Sequence, residues 1–560
     1  MGRDGRPTRS EACAAVPQAG REELKVGGLK RAWLGSVPPM RRERHYGDRV
    51  MRCFSERPGN AFDLLAEAAA RNPDGEAIVC GEERLTYAQF VETVAHCAAG
   101  LAAAGIGRGD RVAMLLGNGI PFPVVLFATL RLGGIAVPLS TREQAGGLAY
   151  MLAHAGAKLL LYDADLAHRL PAPAATPRLA HRIAVEPTAS HRSLCLLADA
   201  TGTAPSGVEE EDTAIILYTS GTTGRPKGAM LTHLGICHSA LHYEACMGLS
   251  ASDRALAAVP LSHVTGVIAL IAAMLRAAAA LIVMPTFKAR DFLALAAREG
   301  MTHSLMVPAM YNLCLLEPSF AAANHAAWRV GGYGGAPMAP ATIARFAEKL
   351  PNLKLMNAYG STETTSPVTI MPPSETAARS DSVGCAVPCA DILVMDEAGR
   401  EVAAGEQGEL WLGGPMVVKG YWEDEAATAE NFVAGYWRSG DIGSKDAEGY
   451  VRVFDRKKDM INRGGYKIYS VEVENALMGF PGVVEAAVVA EPCPVLGERV
   501  HAFVVADGAL ALAALKGHCA GLLADYKVPD AITLRRDALP RNANGKLLKR
   551  DLRLEAAKGH

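Results

Sequence analysis

The sequence predicts an α/β protein: a large N-terminal part with mainly parallel sheets, a small antiparallel β subdomain, and a small α+β C-terminal unit. Three observations carry this. Strand-like and helix-like stretches alternate through most of the 560 residues, which is the order of βαβ units and hence of a parallel sheet. Near Glu401 the texture changes. "DILVMDEAGREVAAGEQGELWLGG" is made of short strands with D-E-A-G and G-E-Q-G turns, an antiparallel meander placed at about 380–455. After "VFDRKKD" the rest of the chain has a small α+β pattern of its own, so a domain boundary is placed near Asp455.

Taken in order, residues 1–52 are rich in Arg, Gly and Pro and lack the apolar centre of a secretory signal. Periodicity begins only at "FDLLAEAAA". Residues 1–52 are therefore expected to be a disordered, dispensable leader, or an over-long start ahead of Met40 or Met51. Residues 53–455 form the N-terminal domain. There "RVAMLLG" and "GIAVPLS" read as buried strands joined by the helix "FPVVLFATLRLG", and the helix "GGLAYMLAHAG" leads into the strand "AKLLLYD". Gly266–Pro285 is long enough to suggest a bilayer crossing. Arg276 interrupts it, and its Ala/Leu-rich start gives way to "LIVM" before a proline. A buried helix followed by a buried parallel strand is expected instead. In residues 456–560, "VEVENALMGF" reads as a helix, and "VVEAAVVAEP" and "VHAFVVAD" read as strands.

Half the residues are apolar, 21% are charged, and the net charge is -2, a soluble globular mixture with no case for a nucleic-acid partner. Twelve cysteines without a C-x-x-C pair suit reduced cytoplasmic thiols better than a disulfide framework.

The stretch with the most chemistry is "YTSGTTGRPKG", Tyr218–Gly228. The β-rich run "AIILY" enters it as a strand. Glycine lets backbone N–H groups turn toward an anion without a Cβ in the way. Thr219, Ser220, Thr222 and Thr223 add hydroxyl donors, and Lys227 adds a mobile charge. This is the chemistry of a polyphosphate site. It is not G-x-x-x-x-G-K-[ST], because Gly228 follows Lys227.

"YTSGTTGRPKGAMLTH" resembles the phosphate-loop signature of the adenylate-forming enzymes, which include acyl-CoA synthetases, peptide-synthetase adenylation domains and luciferases. "NAYGSTE" (357–363), "WRSGDIG" (437–443), "DRKKDMINRGGYKIYSVEVE" (455–474) and "PRNANGKLLKR" (540–550) match the family's later signatures in the right order. The resemblance implies a large N-terminal part, a small mobile C-terminal domain and an active site between them. It also assigns roles. Thr219, Ser220, Gly221, Thr222, Thr223, Gly224 and Lys227 would hold the phosphates of ATP. Gly334, Gly335, Ala336 and Pro337 in "GGYGGAP" would bring backbone against adenine and acyl group. Within Asn357, Ala358, Tyr359 and Gly360, the Tyr359 ring would stack on adenine. Thr362 would reach the α-phosphate and Glu363 would bind Mg²⁺, for which a carboxylate is a hard oxygen ligand.

"RSGDIG" places Asp441 in a turn, where a carboxylate can accept two hydrogen bonds side by side; the resemblance gives it the ribose hydroxyls, with Arg456 as second contact. Lys458 matches the hinge. Lys457, Lys549 and Arg550 read as solvated surface charges. N-G should form a tight turn that presents Lys546, which the family uses to bridge the carboxylate and the α-phosphate, a cation between two reacting anions. Gly464 and Gly465 would let a pantetheine arm pass.

The expected reaction joins a carboxylic acid, ATP and coenzyme A with Mg²⁺, giving an acyl-CoA through an acyl-adenylate with release of pyrophosphate and AMP. No carrier domain follows in the sequence, so free coenzyme A is the expected thiol. A ligase that loads a separate carrier protein and a non-catalytic nucleotide-binding relative stay open, as do peripheral membrane contact and a homodimer. By resemblance "PLSHVTGVIAL" lines the acyl pocket with His263, Gly266, Val267 and Gly334. It holds no acidic residue and no arginine, so an apolar acid is expected: a medium or long fatty acid, or an aromatic one.

Overall fold

The computed structural model describes residues 33–186, 207–219, 225–336, 338–508, 510–541 and 547–558. One sheet has six strands in the order Lys227–Thr232, Thr213–Thr219, Ile135–Pro138, Arg111–Leu115, Leu159–Asp163, His181–Val185. Its pairings are parallel except for the edge strand Lys227–Thr232, which is antiparallel to Thr213–Thr219. The helix Pro121–Arg131, buried along its length up to Leu130, and the helix Ala145–Ala155 are the crossovers. These are the elements expected from "RVAMLLG", "FPVVLFATLRLG", "GIAVPLS" and "AKLLLYD".

The second sheet runs parallel through Ala280–Val283, Arg254–Ala257, His303–Met306 and Val330–Tyr333 to Lys354–Ser361. Along Lys354–Ser361 the pairing changes. Asn357 still faces Tyr333 in parallel register, whereas Ala358 faces Ile370 of the antiparallel strand Ser366–Ile370. The antiparallel strands Gly384–Ala386, Tyr450–Arg456, Tyr436–Lys445, Gln407–Gly413 and Asp391–Met395 then extend the same sheet.

The end of the chain has its own core. Ile461, Ile468, Val473, Leu477, Val488 and Val504 pack in one apolar cluster, and Ala487, Phe503, Leu539 and Leu552 in another. Where this part meets the large sheet, the Ser470 N–H donates to Asp455 at 2.5 Å, Tyr469 donates its hydroxyl to Gln407 at 2.5 Å, and the Tyr469 ring stacks on Phe454.

The stretch from Gly266 lies in a π-helix, Thr265–Ala272, followed by an α-helical turn and the parallel strand Ala280–Val283. Arg276 pairs with Glu244 at 2.8 Å. Among the described residues no helix is long and apolar enough to cross a membrane.

Three expectations need correction. Residues 40–52 are not a disordered leader. Met40–His45 pairs antiparallel with Arg49–Phe54. Arg57, only 8% exposed, holds Glu43 and Glu210 at 2.7 Å each, and His45 reaches Glu211 at 3.0 Å. Upstream of it, the Gly35 N–H donates to the Ala245 carbonyl. Second, Lys549 is no surface charge. It is half-buried, with Glu474 at 2.7 Å and Ser470 at 2.6 Å. Third, Asp441 does not lie in a turn but inside the strand Tyr436–Lys445. Glu409 faces Ile442 and Trp411 faces Arg438, so residues 439–441 form a bulge opposite Leu410, with Gly440 at φ +68°.

Candidate active site

The phosphate-loop motif lies between the strand Thr213–Thr219 of the first sheet and its edge strand Lys227–Thr232. Thr219 ends one strand and Lys227 begins the next, directly opposite it. Ser220, Gly221, Thr222, Thr223 and Gly224 lie outside the described residues, as do Pro337 and Lys546. The Lys227 ammonium stands 5.0 Å from the centre of the Tyr421 ring. The Tyr421 hydroxyl donates to Glu363 Oε1 at 3.0 Å, and the Ser361 hydroxyl donates to Glu363 Oε2 at 3.0 Å. Tyr421 is a partner that its place between motifs hides in the sequence.

Glu363 sits on a constrained corner. After Ser361 the backbone makes one 3₁₀ turn, Thr362–Thr364, and then turns back through Thr365 at φ +47° and Ser366 at φ +83°. Left-handed conformations at non-glycine residues are uncommon and costly. The return strand passes so close that a Cβ at Gly360 would stand 1.8 Å from the Ser366 carbonyl oxygen, which is why glycine is required there. Thr364 Oγ1 ties the corner by donating to that same carbonyl at 2.7 Å. The buried Glu363 carboxylate is thereby aimed, with Thr362 half-buried beside it.

Two residues before Ser361, and so on the same face of the strand, Tyr359 donates its hydroxyl to Asp441 Oδ2 at 2.7 Å. Arg456, opposite Asp441 in the ladder, approaches Oδ1 at 3.1 Å. Burial, and then the charge of Asp441, push the Tyr359 phenol well above its ordinary range, so it stays a neutral donor. Burial works most strongly against the charge on Arg456, but Asp441 together with its other acidic neighbours, Glu363 and Asp459 among them, outweighs it and the guanidinium rises above its usual value. Lys227, Tyr421, Glu363 and Ser361 thus form one polar arm, and Tyr359, Asp441 and Arg456 a second. Both arms rise from the strand Lys354–Ser361.

The glycine-rich turn comes down against this strand. A Cβ on Gly334 would stand 2.5 Å from the Ala358 carbonyl, and Gly335 has φ +77°. The backbone of Gly334–Ala336 is thereby set beside Ala358, with the side chain of Asn357 buried one residue earlier.

The residues expected in the acyl pocket take different positions. His263 is exposed, with Thr265 Oγ1 3.3 Å from its Nδ1, at the start of the π-helix. Gly266 is a packing glycine, since a Cβ there would stand 2.4 Å from the Pro260 carbonyl and 2.5 Å from Leu261 Cα. Val267 is buried in the main apolar cluster.

Beyond Arg456 the chain turns tightly, with the N–H groups of Asp459 and Met460 both donating to the Arg456 carbonyl. Arg553 donates to the Lys458 carbonyl at 2.9 Å and pairs with Asp459. Burial lowers the Lys458 ammonium from its ordinary value. Gly464 and Gly465, at φ +58° and +92°, form the tip of the hairpin between Ile461–Arg463 and Tyr466–Ile468. Open space surrounds the Cβ direction of Gly465.

Residues 65–422 match the family model described as AMP-binding enzyme, and residues 472–546 match the AMP-binding enzyme C-terminal domain. A long-chain-fatty-acid–CoA ligase of Mycobacterium tuberculosis is 34% identical over 496 residues, covering 88% of this chain and 97% of that protein. A feruloyl-CoA synthase of an Amycolatopsis species is 35% identical over 491 residues, covering 87% and 96%. Among solved structures, the o-succinylbenzoate CoA synthetase of Bacillus subtilis with its acyl-adenylate intermediate superimposes with a TM-score of 0.79 at 28% identity, covering 87% of this chain and 97% of that one.

Proposed function

Since the chain belongs to the AMP-binding enzymes and is an AMP-forming carboxylic acid–CoA ligase, we propose that it activates an apolar acid at the two polar arms on the strand Lys354–Ser361. The observation that carries this is the convergence of Lys227, Tyr421 and Glu363 with Tyr359, Asp441 and Arg456. One arm suits phosphates and the other a ribose beside an aromatic ring.

A carboxylate oxygen of the acid attacks the α-phosphorus of ATP. The bond to pyrophosphate breaks, and AMP becomes the leaving group on the acyl carbon. Lys227 and the phosphate loop bind the pyrophosphate side. Asp441 takes the ribose hydroxyls, exchanging its bond from Tyr359 for them. Lys546 stands between the two anions. Glu363 fits Mg²⁺: its carboxylate is buried, each oxygen accepts one neutral hydroxyl, and it makes no ion pair among the described residues. When bound, Mg²⁺ neutralises phosphate charge. In the second half-reaction residues 456–560 turn about Lys458, withdraw Lys546 and present Gly464 and Gly465. The coenzyme A sulfur then attacks the acyl carbon, and the carbon–oxygen bond to AMP breaks.

An apolar acid is supported by relatives named for long-chain fatty acids and for ferulate. Cytoplasmic residence fits the ten described cysteines, none in a disulfide. The test is pyrophosphate release with a panel of acids, with and without coenzyme A. Turnover that needs both an apolar acid and coenzyme A is expected. Release of a single equivalent regardless of coenzyme A would point to a carrier-loading ligase, and no release with any acid to a non-catalytic relative.

A further inference from the structure

Resting on the ligase reading, we propose that Arg49, in the hairpin at residues 40–54, is a positioning residue for Tyr421 and Glu363 and hence for Mg²⁺-bound ATP. Residues 418–422 join Glu363 to the edge strand that begins with Lys227, and they do so through backbone bonds. At one end the Val418 N–H donates to the Glu363 carbonyl at 2.9 Å. At the other, the Met230 N–H donates to the Gly420 carbonyl at 3.1 Å and the Trp422 N–H donates to the Gly228 carbonyl at 2.7 Å, with Tyr421 opposite Ala229. The carbonyls of Val418 and Lys419 accept instead from Arg49, at 3.1 Å and 3.2 Å. A planar guanidinium can hold two successive carbonyls at once, which a single ammonium does less well.

The guanidinium is wedged as well as bonded. It stands 5.2 Å from the centre of the Tyr46 ring and 5.8 Å from that of Phe432, and the Phe432 ring meets Tyr421 edge-on with centroids 5.5 Å apart. The Tyr46 and Thr232 hydroxyls, 2.7 Å apart, tie the turn of the same hairpin to the far end of the edge strand. Burial lowers the Arg49 guanidinium from its ordinary value, so these partners also offset a desolvation cost. Holding Val418 and Lys419 in place fixes two routes to Glu363: its backbone through Val418, and its Oε1 through the Tyr421 hydroxyl. A carboxylate set in position before the cation arrives has less freedom to lose on binding it.

The test compares Arg49→Met and Arg49→Lys with the parent in the full chain, by ATP dissociation constants measured with excess Mg²⁺ and again with EDTA. Methionine keeps an unbranched apolar stem and loses every donor; lysine keeps the charge and loses the fork. With Mg²⁺, Arg49→Met should weaken ATP about five-fold and Arg49→Lys about two-fold. With EDTA all three proteins should bind ATP alike. In a Tyr421→Phe background, where the route to Oε1 is already cut, Arg49→Met should add only about two-fold, because the two residues act in series. Unchanged affinity with Mg²⁺, an equal loss with EDTA, or the full five-fold loss on top of Tyr421→Phe would each overturn the proposal, the second by marking Arg49 as a folding residue of the hairpin. Where Arg49→Met fails to fold, the contrast between Mg²⁺ and EDTA in Arg49→Lys decides. Parent protein that binds ATP but exchanges no pyrophosphate with any acid would refute the ligase reading, while the ATP dissociation constants would still decide the role of Arg49.

Discussion

Tyr359 and Asp441, 82 positions apart in the chain, share a hydrogen bond of 2.7 Å across the antiparallel end of the large sheet. The pair fixes a carboxylate beside an aromatic face before any nucleotide is bound. Asp441→Ala should raise the KM for ATP at least ten-fold, in line with the 1.5–3 kcal/mol or so of a hydrogen bond to a charged group. Tyr359→Phe keeps the ring and loses the tether, so its effect should be several-fold smaller. An unchanged KM in Asp441→Ala removes that residue from the site.

On the proposed mechanism Lys546 and Gly465 belong to opposite halves of the reaction. Lys546→Ala should cripple adenylate formation and spare thioester formation from a supplied acyl-adenylate. Gly465 has φ +92° and open space beyond it, so a side chain there strains the hairpin tip without striking a neighbour. Gly465→Leu should leave pyrophosphate exchange intact and block thioester formation. Collapse of exchange as well would mark Gly465 as a folding glycine.

Chain-length preference follows from burial. Each methylene that leaves water contributes ~0.8 kcal/mol, so kcat/KM should rise several-fold per two carbons until the pocket is full. Octanoate and cinnamate should be better substrates than acetate or malonate. Gly266→Trp does not test this by filling the pocket, because its Cβ would strike the Pro260–Leu261 backbone; loss of folded protein is expected instead of a shift toward short acids.

Acid should weaken the fold through one helix. His233, His238 and His242 on His233–Met247 accept backbone N–H groups from Ala61, Phe54 and Cys389. Burial lowers His233 from 6.5 to about 4 and His238 to about 3, and lowers His242 well below 6.5. Above the unfolded value of 6.5 these groups are neutral in both states and stability is intact. Below it the unfolded chain binds protons that the folded chain refuses, so stability falls by up to about 1.4 kcal/mol per pH unit per histidine, down to the folded values. Urea midpoints between pH 7.5 and 5 measure this. His238→Gln, whose carbonyl can accept the Phe54 N–H, should flatten the slope; an unaltered slope would rule His238 out.

The hairpin at residues 40–54 should be required for stability. Arg57→Ala strands Glu43 and Glu210 and should cost about 3 kcal/mol, read as a lower urea midpoint. Removal of residues 1–50 takes away Glu43 and His45 and should be more damaging still. A truncated chain with the parent's midpoint would restore the view of this segment as dispensable.

Most of the polar site could be read from the sequence because its chemistry is local: a carboxylate after "YGST", a carboxylate after "SG", a cation closing a glycine-rich loop. What could not be read depends on contacts between distant segments. Tyr421 has no motif of its own and matters only because its strand partner Ala229 brings it beside Lys227 and Glu363. The hairpin Met40–Phe54 is masked by its polar, arginine-rich strands, which become legible only once Arg57 supplies the counter-charge. "SGD" has the composition of a turn, and only the ladder to Gln407–Gly413 makes it a bulge. Gly266 looks like room for a ligand because a missing side chain reads the same whether the space beyond it is empty or filled by backbone.

The strand Lys354–Ser361 belongs to both halves of the large sheet, parallel up to Asn357 and antiparallel from Ala358. This limits how the enzyme can be recombined. A graft that takes the antiparallel strands from a relative while keeping the parallel ones must cut either within this strand or through the corner Thr362–Ser366. Both cuts would pair one parent's Tyr359 and Glu363 with the other parent's ladder. Interchangeable pieces should therefore begin upstream of Val330, so that the strand, its corner and the residues on both of its edges are inherited together.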